Sequence, residues 1–357
     1  PRGLCLEGGE TIRVRGGPRP FPPPRSPGDF DQEAYWRSRG ALGVLETGLV
    51  ELLGPPGPWR AWRNGVHRRI LLNLPPRMRG YLLAAWLGRR DPELGAQHGR
   101  WGTSHILAVS GFHVALVVGA AHLLLRRVPG REIWESLLRW GYVLRAGAPA
   151  SALRAGAMIQ LVLLGRLLGR PSGAFNLLCA AAGVLLVFRP WLFLDLGFQL
   201  SVLSVLVLTS WTWLPPVLLP LVGPLVWLVT APLTASVFGS VPLAGIPLNF
   251  LALPFFSCFF PLASLLALPA LAGLPGGIPA AWMGELLAAG FEIAAEGIAT
   301  YLPGVVPFSP TLAALAATAG AFGALRAASC SPRRSLWGAL VLGGSVLAWS
   351  MRGLTGV

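Results

Sequence analysis

The sequence predicts an all-α polytopic membrane protein with about 8–10 transmembrane or re-entrant helices, preceded by a remnant of a small β domain. Three observations favour this class. Of the 357 residues, 54% are hydrophobic and only 12% are charged, whereas soluble proteins average about 25% charged residues. Several apolar runs reach the ~17–25 residues that cross a bilayer as a helix. Residues 190–325 contain no Arg or Lys, which a soluble protein with a large core does not explain.

The net charge is +14, and all 29 basic residues are arginines. A GC-rich genome accounts for the choice of Arg over Lys, but not for the scarcity of Asp and Glu. The positive excess suits anionic lipid head groups or a polyanionic substrate. The four cysteines lie far apart and form no pattern with zinc-ligand spacing. We therefore expect no metal and no cofactor on this chain.

Residues 1–48 differ in composition from the rest. The alternating stretch Thr11 to Arg15 predicts a β-strand, and Asp29 to Trp36 predicts the start of a helix after a Pro-rich turn. These elements are too few to bury a core, so we interpret residues 1–48 as the C-terminal tail of a small β domain. The start at Pro1 and the end soon after an apolar segment indicate a fragment of a longer protein.

Residues 49–104 are predicted to be a linker with interfacial amphipathic helices. Its aromatic residues, Trp59, Trp62, Tyr81 and Trp86, alternate with nine arginines between positions 60 and 100. This mixture is typical of helices that lie in the head-group plane of a membrane. The same mixture is also compatible with nucleic-acid binding, although a position at the membrane interface is the preferred interpretation.

Residues 105–357 are predicted to be the transmembrane domain. Its apolar runs are 105–125, 133–148, 150–168, 174–188, 192–213, 217–235, 243–271, 279–301, 309–326 and 335–350. Several runs are short or contain Pro, which predicts re-entrant or broken helices that face protein or water. Arginines cluster after the first and third runs, so these two ends should be cytoplasmic and the N-terminal β remnant external.

Polar residues interrupt the first apolar run at His105, Ser110 and His113. If the run is one continuous helix at 100° per residue, the three side chains share one half of its surface. Ionisable residues in membrane spans usually face a bundle interior or a wet cavity. The alternative is a local role, in which His105 lies near the interface and Ser110 bonds to its own helix.

A second polar group lies further along the chain. Asp195 and Gln199 are four residues apart and so share a helix face. A carboxylate within the membrane costs about 3 kcal/mol unless it is paired or hydrated. Arg154 is a candidate partner, and a buried Arg154–Asp195 pair that only holds helices together is the alternative to a pore-lining role. Asn176 and Asn249 are expected to add amides to the interior.

These residues carry a resemblance to a known family. The segment "HILAVSGFHVALV" resembles the signature of the ComEC-type competence proteins, and "SALRAGAM" followed by "FRPWLFLDLGFQLSVLSVL" resembles the family's next block. The segment "VPLAGIPLNFLALPFF" resembles a later block, and "RSPGDFDQEAYWRSRG" resembles the end of the OB-like domain that precedes the channel. Order and spacing agree over about residues 25–320, so the resemblance is specific.

The resemblance implies an external OB-like domain followed by a channel that carries single-stranded DNA through the bacterial inner membrane during natural transformation. It also implies other competence proteins as partners, namely a DNA receptor and a cytoplasmic helicase or translocase; a homo-oligomer is a further expectation. The family often carries a metallo-β-lactamase-like domain, but this chain has no His-x-His-x-Asp-His stretch. We therefore expect a channel and not an enzyme.

A polar path for a polyanion gives the candidate site residues a common role. The predicted path residues are His105, Ser110, His113, Arg154, Asn176, Asp195, Gln199 and Asn249, and no residue is assigned as catalytic. Phe112 and Phe198 are candidates for stacking on bases, each worth about 1–3 kcal/mol, with ordinary packing as the alternative.

Two other functions fit the sequence. A small-molecule permease would show similar polar spans, but it does not explain the β remnant or the aromatic and basic linker. An intramembrane hydrolase would use Ser110, His113 and Asp195 as nucleophile, base and orienting group. The sequence lacks both the GxSxG elbow and the HExxH zinc pair, which disfavours the hydrolase.

Overall fold

The computed structural model describes residues 10–22, 32–211, 216–307, 309–327 and 332–355. Its α-helices, α1 to α15 in chain order, are Gln32–Ser38, Pro58–Asn73, Pro76–Leu87, Pro92–Trp101, Ser104–Leu107, Gly111–Leu125, Arg131–Arg145, Ala150–Leu167, Ala174–Phe188, Leu196–Ser210, Val222–Phe238, Gly245–Leu271, Gly277–Tyr301, Pro310–Ala327 and Pro332–Thr355. Its strands, β1 to β4, are Thr11–Arg19, Val44–Gly54, Ser240–Pro242 and Val305–Pro307. Two 3-10 turns cover Pro190–Leu194 and Pro216–Leu221.

Helices α8, α12 and α13 are long and apolar enough to cross a membrane, and within the described ranges they are the three that meet both criteria. Several further helices are apolar but shorter, α6 and α9 to α11 among them. The side chains of α13 show what surrounds these helices. Its buried positions are occupied by Gly, Ala, Glu and one Phe, whereas Leu286 and Ile293 are 69% and 74% exposed. Small residues at helix contacts and large apolar ones outside are typical of lipid-facing helices, so the all-α polytopic membrane fold is confirmed.

The N-terminal part contains a two-stranded antiparallel ribbon of β1 and β2. The predicted strand from Thr11 to Arg15 lies within β1, which continues to Arg19. β2 runs across the predicted domain boundary at residue 48. Of the predicted helix start, positions 29–31 lie outside the described residues, and α1 begins at Gln32.

Helix α1 packs on the Pro190–Leu194 turn that follows α9. The guanidinium of Arg37 lies 5.2 Å from the ring of Trp191, and Arg39 lies 4.0 Å from the carboxylate of Asp195. The N-terminal part is therefore at the same end of the bundle as the loop after the fourth predicted span. The predicted second run, 133–148, corresponds to α7, which is amphipathic and buries Arg139, so the topology expected from the arginines stays a prediction.

The largest apolar core joins α3, α4 and α5 to α12 and α13. In α3, Met78, Tyr81, Leu82 and Leu87 are fully buried, so this helix lies inside the bundle. Helix α2 differs, because Trp59 and Trp62 are about half exposed. Their rings stack 5.1 Å apart. An interfacial position for these helices stays a prediction, and α2 is the one whose exposed side chains fit it.

Loops from distant parts of the sequence meet at one end of the bundle. A Cβ built at Gly102, whose φ is +71°, would lie 2.9 Å from the Cα of Gly245, so the end of α4 and the start of α12 touch through two glycines. Next to them, β3 pairs with β4, and the backbone N–H of Leu243 donates to the carbonyl of Gly304 at 2.9 Å. These contacts bring residues 102, 240–245 and 304–307 together.

Candidate functional site

The segment from His105 to His113 is broken rather than continuous. Helix α5 ends at Leu107 and α6 begins at Gly111. Between them Ser110 is the N-cap of α6, with extended backbone at φ −122° and ψ 179°. Serine favours N-cap positions because its side chain competes for backbone hydrogen bonds. The predicted continuous helix over 105–125 is therefore wrong, and a single helical projection does not relate His105 to Ser110 and His113.

His113 is buried, with 3% of its surface exposed. Its Nδ1 lies 3.4 Å from the backbone nitrogen of Ser110 and 3.5 Å from the Ser110 Oγ, in a capping-box arrangement. Its Nε2 is buried and has no hydrogen-bond partner among the described residues. The ring packs 4.7 Å from the ring of Phe260 in α12. One ring nitrogen of His113 therefore caps the helix, and the other faces the interior without a hydrogen-bond partner among the described residues. His105, in contrast, is exposed on α5.

Arg154 of α8 connects three helices next to this break. Its Nε donates to the Oγ of Ser201 in α10 at 2.8 Å, and it contacts the sulfur of Met158 at 3.0 Å. A Cβ built at Gly111 would lie 3.3 Å from the Arg154 guanidinium. Arg154 is buried, so α6, α8 and α10 meet around a cation.

Asp195 does not pair with Arg154, so that predicted alternative is wrong. Asp195 is the N-cap of α10, and its Oδ1 accepts from the backbone N–H of Phe198 at 2.8 Å. Gln199 donates from Nε2 to the carbonyl of Phe193 at 2.6 Å. Both side chains satisfy backbone groups where the 3-10 turn meets α10, because helix starts leave such groups unpaired.

The other predicted path residues lie in different environments. Asn249, the fifth residue of α12, is half-buried, and its Oδ1 is buried without a partner among the described residues. Asn176 is exposed in the first turn of α9 and so does not add an amide to the interior. Phe112 is partly buried against the main core. Phe198 is 4% exposed and packs with Ala150 and Leu192, so its ring is already covered.

The structure does not assemble the hydrolase arrangement. Asp195 makes its contacts with Phe198 and Arg39. The Nδ1 of His113 faces Ser110, and its Nε2 meets no carboxylate in the described part of the chain. A catalytic set of this kind needs a carboxylate that orients the base, and the described residues do not place one on His113.

A second polar cluster, which the sequence analysis did not assign to a site, lies between α3 and α13. The Nε of Arg77 donates to Glu292 at 2.7 Å and its Nη1 to Glu285 at 3.4 Å. The backbone N–H of Met78 donates to the second oxygen of Glu285 at 2.9 Å. These carboxylates and Glu296 stand at i, i+7 and i+11 on α13, which places them on one face. That stripe of acids in an otherwise uncharged region is the sequence signal for the cluster.

Helix α4 extends the cluster by further hydrogen bonds. The indole of Trp101 donates to Glu296 at 2.9 Å. His98 lies 2.9 Å from the Tyr81 hydroxyl through Nε2 and 2.9 Å from the Thr103 hydroxyl through Nδ1. His98 is fully buried, and burial lowers its pKa to about 4. His98 is therefore a neutral member of a hydrogen-bonded chain.

Within the described ranges, three or more His, Cys, Asp or Glu side chains are nowhere close enough together to hold a metal ion. The break between α5 and α6, with Ser110 and the buried His113, and the acidic cluster on α13 are two polar sites in an apolar helical bundle.

Comparisons with known proteins identify related sequences. The family model for the competence protein matches residues 87–329. ComE operon protein 3 of Bacillus subtilis is 31% identical over 202 residues, which is 53% of this chain and 26% of the relative. Recombination protein 2 of Haemophilus influenzae is 24% identical over 262 residues, 64% of this chain and 33% of the relative. Uncharacterized protein YcaI of Escherichia coli is 27% identical over 239 residues, 60% and 29% respectively.

The matches to these relatives cover a third of their length or less. No solved structure matches the chain.

Proposed function

Since this chain belongs to the competence protein family, we propose that it forms a channel that translocates single-stranded DNA into the cytoplasm during natural transformation. The membrane would be the bacterial inner membrane, crossed several times. The names of two relatives refer to the ComE operon and to recombination, which supports a role in DNA uptake.

The observation that carries the proposal is the break between α5 and α6. Irregular backbone at membrane depth is tolerated only where it is buried in protein or lines a water-filled cavity. Here it is accompanied by a polar atom without a protein partner in the described chain, the Nε2 of His113. Such an atom is expensive to bury dry, so a hydrated path beside it accounts for both the break and the unpartnered nitrogen.

The charge of this region also suits a moving polyanion. In the described part of the chain, the guanidinium of Arg154 lies against Gly111 at the break, and its Nε is held by Ser201. A path needs sites that bind weakly enough for the strand to leave. Neutral donors such as His113 and Ser110, with a single tethered cation beside them, meet this requirement better than a row of arginines would.

The proposal names the lipid bilayer, two other competence proteins and a second copy of the chain as partners. The bilayer surrounds the exposed apolar faces of helices such as α13. A DNA receptor would deliver the strand at the outer face, and a cytoplasmic helicase or translocase would receive it. A second copy of the chain is a further candidate.

The test is uptake by cells whose gene for this protein has been deleted. Labelled single-stranded DNA should fail to enter the cytoplasm, whereas uptake of amino acids and nucleosides should match the parent strain. Restoring the gene should restore DNA entry. If the deletion instead abolishes entry of a small solute and leaves DNA entry intact, the protein is a small-molecule permease and the channel proposal is wrong.

A further inference from the structure

Arg145, the last residue of α7, places its charge against two aromatic rings. Its guanidinium carbon lies 5.0 Å from the ring of Trp86 in α3 and 5.6 Å from the ring of Trp62 in α2. Its Nε is buried and has no hydrogen-bond partner in the described part of the chain. A guanidinium carries a permanent charge and several N–H donors whose geometry suits a phosphate. Arg145 therefore has a binding capacity that the described residues leave unused.

Arg63 of α2 brings a second guanidinium to the same place. Its Nη2 donates to the carbonyl of Leu87 at the end of α3, at 2.5 Å, while its Nε is buried without a hydrogen-bond partner among the described residues. A Cβ built at Gly147, two residues after Arg145, would lie 3.3 Å from that Nη2. Burial and, next, the positive charge of Arg89 lower the pKa of Arg63. Two half-buried guanidiniums thus lie where α2, α3 and α7 meet, and neither forms an ion pair with a described carboxylate.

Two exposed indoles stand next to these charges. Trp59 and Trp62, near the start of α2, stack with ring centroids 5.1 Å apart and planes at 25°, and they are 51% and 47% exposed. Trp86 differs, because its Nε1 donates to the Oγ of Ser264 in α12 at 3.0 Å, which ties it to the core. Exposed aromatic rings beside arginines are the combination on which the bases of single-stranded nucleic acids stack.

The cluster borders the break between α5 and α6. A Cβ built at Gly88, just after α3, would meet the carbonyl of Ala146 and lie 3.9 Å from the Cγ2 of Val109, which belongs to the break. Four residues after Ala146, Ala150 packs with Leu192 of the 3-10 turn on which α1 also packs. The cluster is therefore beside the proposed path, at the end of the bundle that carries the N-terminal part.

An anionic membrane surface is the other partner that arginine and tryptophan suit. A lipid head group offers a phosphate but no planar ring, whereas each nucleotide of a single strand offers both. Arginines that bind head groups extend their charged ends to the surface, but the Nε atoms of Arg63 and Arg145 are buried. Binding of a strand accounts for the stacked indoles and the half-buried charges together.

We propose that Arg63 and Arg145, with Trp59 and Trp62, form a binding site for single-stranded DNA at the entrance of the path. The guanidiniums bind a phosphodiester of the backbone and the indoles stack on a neighbouring base, so the site reads no sequence. No covalent bond is made or broken. The site rests on the proposed channel function and adds the place where the strand is held before it reaches the break. Two arginines suit this place, because capture needs tighter binding than passage does.

The test is binding of a labelled oligothymidylate to the purified full chain in nanodiscs of zwitterionic lipid, measured by fluorescence anisotropy over a series of salt concentrations. Trp59→Leu should weaken binding about tenfold, because it removes a stacking face, and should leave the salt dependence unchanged. Arg145→Gln should lower the slope of log affinity against log salt by about 0.7, the value for one phosphate contact on a single strand. The matched controls are Trp134→Leu, near the start of α7, and Arg166→Gln, in the last turn of α8. Both change exposed side chains and should bind as the wild type does.

The site is overturned if the wild type binds no oligonucleotide, or if Trp59→Leu and Arg145→Gln bind it like the controls. If Arg145→Gln does not accumulate, Trp59→Leu decides, since its ring is half exposed. Loss of copurifying phosphatidylglycerol in the two variants, with DNA binding unchanged, would assign the cluster to lipid and also overturn the site. The deletion strain tests the channel separately. Weakened binding in the two variants together with normal DNA entry into that strain would support the site and refute the channel.

Discussion

The Nε of Arg154 in α8 donates to the Oγ of Ser201 in α10, at 2.8 Å. Both positions belong to segments rich in small and apolar residues, and Arg154 is buried. A buried cation needs partners, because leaving it unpaired in an apolar interior is costly. The pair therefore joins two helices of the predicted path, and it assigns Arg154 a partner other than Asp195.

Ser201→Ala should destabilise the protein, because it removes the acceptor of a buried charged donor, a loss of about 1–3 kcal/mol. The measurement is thermal unfolding of the purified protein in detergent. Ser204→Ala is the matched control, since the Ser204 hydroxyl bonds only to the Leu200 carbonyl of its own helix and its loss should have little effect. Equal melting temperatures for the two variants would contradict the role of the Arg154–Ser201 bond.

Asp195→Ala should cost about 1 kcal/mol, because it removes the N-cap of α10. Asp195→Asn should cost much less, since an amide oxygen can still accept from the Phe198 N–H. The contact with Arg39 is 4.0 Å long and partly exposed, so its loss should add little. The same unfolding assay compares both variants with the wild type. If Asn destabilises as strongly as Ala, the charge matters and not the cap.

His113→Gln should retain appreciable uptake of single-stranded DNA, whereas His113→Leu should lose it at unchanged protein level. This expectation follows from the proposed channel, in which the unpartnered Nε2 of His113 serves as a polar group beside a hydrated path. A catalytic histidine would fail in both variants. Uptake of labelled DNA is measured in membranes with matched protein content. Normal transport by the Leu variant would show that His113 only packs against Phe260.

Gly102→Ala should destabilise the contact between α4 and α12. Gly102 has a positive φ, and an added Cβ would lie 2.9 Å from the Cα of Gly245, so both backbone strain and a clash oppose it. Gly95→Ala is the control within α4. A Cβ at Gly95 meets nothing within 4 Å, so this change should be neutral or stabilising by about 0.5–1 kcal/mol. If Gly102→Ala unfolds at the wild-type temperature, the close approach is not required.

The orientation can be tested by cysteine labelling in intact cells. A cysteine at Val128, between the arginines that follow the first span, should be shielded on the cytoplasmic side. A cysteine at Leu42, which is 86% exposed in the N-terminal part, should react with an impermeant reagent added outside. Native Cys179 and Cys258 are exposed, so the background must lack all four cysteines. Labelling at 128 but not at 42 would reverse the orientation.

The sequence by itself determined the membrane class, the approximate positions of the apolar helices and the resemblance to the competence proteins. Each of these depends on local features of the sequence, namely the length and hydropathy of the apolar runs and short motifs. For the same reason it identified His113 and Arg154 as polar residues in apolar surroundings. The polarity of these two side chains is known from the sequence, however the chain folds.

Only the tertiary structure decided how these residues are used. The projection of His105, Ser110 and His113 onto one surface required a continuous helix, and the N-cap at Ser110 ends that continuity. The partner of Arg154 depended on how α8 packs on α10, which no local pattern specifies.

The acidic cluster on α13 is the clearest case of contacts that the sequence alone does not predict. Arg77 and Glu292 are 215 positions apart, and the charge of each alone gives no sign of the other. A buried carboxylate is stable only with a nearby hydrogen-bond donor or a bound proton. The environment of Glu292 therefore depended on which helix packs against it. Helix packing placed α3 and α4 there, and with them Arg77, Tyr81 and His98.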